Sequence, residues 1–170
     1  MTIAFGYFTK SDVLFSIWFF HLLAAIQAGI YNRIGFDIGA GDPWGSFHAA
    51  IGWQGFGGMI VFVGWGVWIA RNHLLSVYRQ AVRNEKEIDD SEEIMSYRTA
   101  FWLFIGSSIY VVIFFRHLGF MWGPLIAFWF GSGVLYFGLA RVIVESGLVF
   151  LRGPITAQAF TWHLFGPAII

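Results

Sequence analysis

Four long apolar runs alternate with short polar stretches along the chain. They cover residues 12–30, 48–70, 99–115 and 121–144, and each is close to the ~20 residues that a helix needs to cross a bilayer. The runs therefore predict four transmembrane helices. A weaker stretch, residues 147–170, is interrupted by Gly153-Pro154 and Gly166-Pro167, so it predicts either a re-entrant segment or the broken beginning of a fifth span.

The one extended polar stretch covers residues 71–98. Its first half, NHLLSVYRQAVRNEKEI, spaces its apolar residues as an amphipathic helix does, which predicts a helix that lies at the membrane interface. We expect this stretch to be the main cytoplasmic loop. Both termini, including Arg152, are then cytoplasmic, and of the ten basic residues only Arg33 and Arg116 lie outside. The loop 37–47 is expected outside the membrane, with Trp44 at the headgroup level.

The composition supports a single membrane domain over residues 1–170. Hydrophobic residues make up 58% of the chain and charged residues 12%, and the mean hydropathy is +0.67, whereas soluble domains carry about 25% charged residues. The net charge is zero, so no basic field favours nucleic acid as a partner. The chain has no cysteine, which excludes disulfides, thiolate metal sites and thiol nucleophiles. The predicted fold class is all-α, a polytopic helical bundle.

Glycines in the second and fourth spans are candidates for helix packing. Small residues let two backbones approach closely, and this matters in lipid because burial of apolar surface no longer drives helices together. The predicted packing positions are Gly52, Gly55, Gly58, Gly131 and Gly138.

Three charged residues near the end of the fourth span form a candidate polar or partner site. Arg141 and Glu145 are four residues apart, so they share one helix face and can neutralise each other. Arg152 lies beside the predicted helix break. One interpretation is an interfacial ion pair that fixes the depth of the helix; the other is a charged lining for a cavity or a partner.

His21 is the candidate cofactor-binding residue, because a neutral imidazole inside a span could ligate a haem iron or a chlorin magnesium. The alternative is a buried histidine that hydrogen-bonds a neighbouring helix. No pigment, haem or other cofactor is otherwise predicted, and no metal site. The sequence has no HExxH motif and no defensible catalytic set, so we expect no enzymatic activity.

Several stretches together resemble a known family. DVLFSIWFFHLLAAIQ, FGGMIVFVGWGVWIARNHLLSVYRQAV, EEIMSYRTAFW and ARVIVESGLVFLRGPIT resemble, in this order, segments of large uncharacterised bacterial membrane proteins of the oligopeptide-transporter superfamily. Members of that family are several times longer, and this chain resembles a middle part of them. The resemblance implies a helical fold in the bacterial inner membrane and a transport ancestry.

Two functions follow as expectations. The first is a non-catalytic membrane subunit, in contact with lipid and with other membrane protein chains, that packs within a larger assembly such as a photosynthetic or respiratory complex. It could be a reduced relative of a transporter. The alternative is transport of a peptide-like or metal-chelate solute, either as a homo-oligomer or with a partner chain.

Overall fold

The computed structural model describes residues 11–39, 41–45, 48–83, 95–148 and 151–166, and these residues fold into helices joined by short connections. Within the described ranges the helices are α1 Ser11–Ile34, α2 Ala49–Arg83, α3 Tyr97–His117, α4 Trp122–Ser146 and α5 Ala157–Phe165, and there is no strand. The predicted all-helical class is confirmed.

Four of these helices, α1 to α4, are long and apolar enough to cross a membrane. They match the four predicted spans, and α1, α3 and α4 differ from the predicted limits by one to four residues. Local capping sets two of the ends. The Ser96 hydroxyl accepts a hydrogen bond from the Thr99 N–H at the start of α3, and Gly147, with φ +69°, ends α4 in the left-handed conformation.

The second helix differs from the prediction, because α2 continues without a break from Ala49 to Arg83. Residues 71–83 therefore continue the helix of the second span and do not form a separate helix. The reason is that Gly66 is the last glycine of α2 and no proline follows it, so nothing ends the helix where the charged residues begin. At 1.5 Å per residue, 35 residues reach roughly 52 Å, beyond the ~30 Å hydrocarbon core. The rest of the predicted loop, residues 84–94, lies outside the described residues.

Polar side chains join α1 to α2. The Gln27 amide donates to Gln54 Oε1 at 3.0 Å and to the Tyr31 hydroxyl at 2.6 Å. The ring of Tyr31 lies 5.7 Å from that of His48, just before α2 begins. These pairs make α1 and α2 antiparallel. None of the residues of α1 is buried.

The core lies between α2, α4 and α5. Its buried members are Phe56, Val134, Leu135, Ile155 and Ala157. Gly138 of α4 lies so close to α2 that an added Cβ would be 2.7 Å from Met59 Cγ and 3.2 Å from a methyl group of Val63. The backbone of α4 at Gly138 therefore packs directly against side chains of α2, and α2 and α4 run in the same direction.

The other four predicted packing glycines have different surroundings. A Cβ at Gly131 would be 3.0 Å from the Phe160 ring, and one at Gly55 would be 2.9 Å from Pro154. Gly52 is buried. At Gly58 a Cβ would meet nothing within 4 Å, so this position makes no close helix contact within the described chain.

After α4 the chain turns back along the helix that it has just completed. Gly153 lies near Leu135 and Leu139 of α4, and α5 then runs antiparallel to α4, with Ala157 against Gly131 and Phe165 against Gly123. The break is therefore an extended return followed by a short helix. Helices α1 and α3 end, and α2 and α4 begin, at the same end of the bundle, which we call the loop end. Helix α5 points towards this end.

This path bears on the expected orientation. The guanidinium of Arg152 contacts the loop 37–47, and Ser11 and Gly166 lie at opposite ends of the bundle, because the return and α5 together add a further passage along α4. The side of the membrane on which Arg152 and the two termini lie stays a prediction. Residues 167–170 lie outside the described residues.

Filling the contact at Gly138 should destabilise the bundle. We expect Gly138→Val to lower the free energy of unfolding by about 1–3 kcal/mol, because the new methyl groups overlap Met59 and Val63. Thermal unfolding in detergent, followed by circular dichroism, measures this. Gly133→Val is the matched control, since it lies on the same helix and a Cβ there meets nothing within 4 Å. Equal losses in both variants would contradict the packing described for α4 on α2.

Candidate functional site

The loop before α2 and the break before α5 meet in a group of polar contacts, which we call the polar junction (residues 42–45 and 152–156). The carboxylate of Asp42 accepts a hydrogen bond from the Thr156 N–H at 2.6 Å. In the opposite direction, Arg152 donates from Nε to the Trp44 carbonyl at 2.8 Å and from Nη2 to the Pro43 carbonyl. Each segment thus supplies one charged side chain to the backbone of the other.

The break needs these contacts because its backbone is not helical. The first N–H groups of a helix have no partner within the helix, and an unpaired backbone group is costly away from water. Thr156 caps α5 by accepting from the Ala159 N–H at 3.2 Å, while Asp42 takes the N–H of Thr156 itself. Pro154 has no N–H to satisfy. A carboxylate also suits the positive end of the helix dipole.

Glycine allows the two segments to approach this closely. Gly45 is buried, and a Cβ there would lie 2.7 Å from the Pro154 carbonyl oxygen and 2.9 Å from the Cα of Ile155. Both of these are backbone atoms, which cannot rotate away. Any larger residue at position 45 would therefore force residues 42–45 away from residues 152–156.

The electrostatics of the polar junction favour the charged form of Asp42. Burial acts most strongly and by itself would raise the pKa of this carboxyl above its ordinary value of 3.8. Hydrogen bonds from Trp44 and Thr156, together with the positive charge of Arg152, outweigh the burial and hold the pKa of Asp42 below that value.

Two cavities flank the polar junction, with volumes of about 560 Å³ and about 190 Å³. The larger lies between the loop, the end of α3 and α5, and the smaller lies against the middle of α4. Both are mostly apolar, and the residues that line both are Trp44, Phe128, Thr156 and Gln158. An arrangement of this kind can hold an apolar solute body and offer hydrogen bonds at its edge.

The structure places the other predicted polar residues elsewhere. Arg141 Nε lies 2.7 Å from Glu145 Oε1, so these residues form an ion pair, and the guanidinium also lies over the ring of Phe62 and against Gly66. This pair is on the opposite half of α4 from α5. The predicted group of Arg141, Glu145 and Arg152 therefore divides into two separate places.

His21 lies near the middle of α1, and its side chain is exposed. It has no hydrogen-bond partner and no ring contact among the residues that the structure describes. In the same described ranges, no three histidine, aspartate or glutamate side chains lie close enough to hold a metal ion.

Reasoning from the sequence did not identify Asp42 or the capping role of Thr156. Each had a local signal: threonine before AQAF is typical of a helix N-cap, and aspartate before proline is typical of a turn. Neither signal says that the two residues meet, because 114 positions separate them in the chain.

Comparison with known proteins adds a family. A family model described as a family of unknown function, DUF6785, matches residues 1–170. The chain belongs to this family. Neither a curated protein nor a solved structure matches the chain. Membership of this family assigns no activity to the chain. We therefore infer the function from the geometry of the site.

The polar junction should weaken in acid. Since the folded pKa of Asp42 is below 3.8, its carboxylate contributes stability in full above about pH 4 and loses it as the pH falls through the lower folded value. We expect Asp42→Asn to lower the free energy of local opening of α5 by about 1–3 kcal/mol at pH 7. In this variant, that free energy should no longer fall as the pH is lowered through the pKa of Asp42. Hydrogen exchange of the α5 amides, corrected for the intrinsic effect of pH, measures both. Asp12→Asn, in the exposed first turn of α1, is the control; an unchanged fall with pH in Asp42→Asn would contradict the assignment.

Proposed function

We propose that this chain is a non-catalytic integral membrane subunit that packs against other membrane helices in a larger assembly, of the type found in photosynthetic or respiratory complexes. The observation that carries the proposal is the position of His21. The proposal concerns contacts made by α1, which is attached to the rest of the described chain mainly through Gln27 and Tyr31.

His21 is exposed at the depth where a lipid-facing ionisable group is least favourable. Polar and ionisable side chains within transmembrane helices nearly always face another helix or a water-filled cavity, because hydrocarbon cannot solvate them. Gln27, on the same helix, follows this rule by pairing with Gln54. His21 has no such partner in the described residues, so a helix from outside them is the partner that satisfies the rule.

Open small-residue surfaces support the same proposal. Gly57, Gly58 and Gly64 of α2, and Gly106 of α3, meet nothing within 4 Å, although Gly138 and Gly131 are used in close contacts. In membranes, small residues are enriched where helices pack. The open glycines thus offer α2 and α3 surfaces on which a further helix can approach the backbone.

Site-specific photo-crosslinking at position 21 tests the proposal. We expect His21→p-benzoylphenylalanine, irradiated in native membranes, to give a discrete adduct with a polypeptide. The control is Leu22→p-benzoylphenylalanine, because position 22 is exposed at the same depth and lies about 140° around α1 from Gln27, which faces α2. Mass spectrometry identifies the adducts. Adducts with lipid alone at position 21, as on the control face, would overturn the proposal.

A second candidate function is transport of a peptide-like or metal-chelate solute, as a homo-oligomer or with a partner chain. The broken segment favours it: an unwound return, the start of a short helix and two cavities lie together at the polar junction. Transporters bind solutes at broken helices of this kind, since the helix ends and free backbone groups are available there. The resemblance to the oligopeptide-transporter superfamily points in the same direction.

Uptake into proteoliposomes tests this candidate with a panel of short peptides and metal chelates. We expect wild-type uptake that falls roughly tenfold in Arg152→Gln, because the loop carbonyls lose their charged donor. Arg141→Gln, which alters an ion pair away from the polar junction, should keep the uptake. Absence of flux in every oligomeric form, or equal loss in both variants, would refute a transport role for the polar junction.

A further inference from the structure

A third cavity, of about 310 Å³, lies at the loop end of the bundle between the last turn of α1 and the first turn of α2. Its surface is mostly polar, in contrast to the cavities at the polar junction. The side chains that shape it are Tyr31, Asn32, Phe36, Asp37 and His48. Neither of the functions proposed above uses this cavity.

Aromatic rings form one wall of the cavity. The ring of Tyr31 is in the centre, with the Phe36 ring 5.0 Å away on one side and the His48 ring 5.7 Å away on the other. The hydroxyl of Tyr31 already accepts a hydrogen bond from Gln27. Clustered aromatic faces are negative at their centres and attract cations within about 6 Å.

Asp37 gives the cavity its charge. Among the residues that the structure describes, it is the only acidic side chain in the lining, and no arginine or lysine lines the cavity with it. One of its oxygens accepts the Gly39 N–H at 3.0 Å, and it forms no ion pair within the described residues. The negative end of the α1 helix dipole and the positive end of the α2 helix dipole meet here and offset each other. The full negative charge of Asp37 therefore makes the electrostatic potential in the cavity negative.

We propose that this cavity binds the ammonium group of a small organic cation, with Asp37 as the counter-charge and the rings of Tyr31, Phe36 and His48 as the aromatic wall. A carboxylate combined with several aromatic faces is the chemistry that recognises organic ammonium groups, because such cations are weakly hydrated and leave water readily. The cavity lies at the ends of two spans, near the headgroup level. The ammonium group can therefore belong to a free amine or to a phospholipid headgroup.

Binding of tetramethylammonium to the full chain in phosphatidylglycerol nanodiscs tests the ammonium chemistry. We expect calorimetric titration to show binding that is weakened roughly tenfold in Asp37→Asn, since the variant loses the charge. The asparagine oxygen can still accept the Gly39 N–H, so the loop conformation is retained. Asp12→Asn, at the other end of α1, should bind as the wild type does.

Two ring variants distinguish a loss of the aromatic wall from a general loss of loop stability as the cause of weaker binding. Phe36→Leu should weaken the binding because it removes one face, whereas Tyr31→Phe should retain it because the ring remains. Circular dichroism and gel filtration show that each variant is folded before it is titrated. Equal affinity in the wild type and Asp37→Asn, or loss of binding in Tyr31→Phe alone, would overturn the proposal.

A second set of nanodiscs distinguishes the two sources of the ammonium group. When phosphatidylethanolamine or phosphatidylcholine is included, a headgroup site should retain that lipid in native mass spectrometry, lose it in Asp37→Asn and bind less tetramethylammonium. A site for free amines should bind tetramethylammonium equally in both lipid compositions. Absence of both cation binding and lipid retention in the wild type would refute the ammonium site.

Discussion

The backbone of the extended return after α4 imposes the main constraint on this structure. A helix satisfies its own N–H and C=O groups, but a non-helical segment beside the core has to obtain partners from elsewhere. The loop before α2 supplies them through Asp42, and the return supplies Arg152 to the loop carbonyls. Because Gly45 and Gly55 permit backbone contact with Pro154 and Ile155, the loop, α2 and the return are fixed together.

The sequence allowed the spans to be predicted well, since the apolar runs have bilayer length and their ends carry local capping signals. The helix α2 continues past the predicted span, because charge marks where a helix leaves the membrane and does not mark where the helix ends. The partners of Arg152 were not predicted, because they are carbonyls of a distant loop. Pairing across 114 positions has no local signature.

The helices of the bundle are held together by two kinds of contact. α2, α4 and α5 share an apolar core with close glycine contacts, whereas α1 is joined to α2 through Gln27, Gln54 and Tyr31. A hydrogen bond in hydrocarbon is directional, so it sets the rotation and the register of α1 without burying its surface. The faces of α1 therefore stay open, and this makes the position of His21 informative about what surrounds the bundle.

The continuity of α2 joins two distant parts of the structure. The helix is roughly 52 Å long, and Gly55, near its start, touches Pro154 of the extended return. No proline interrupts α2 between Ala49 and Arg83, so its backbone hydrogen bonds continue from this contact to its last turn. A single helix therefore connects the residues around Arg83 with the segment just before α5.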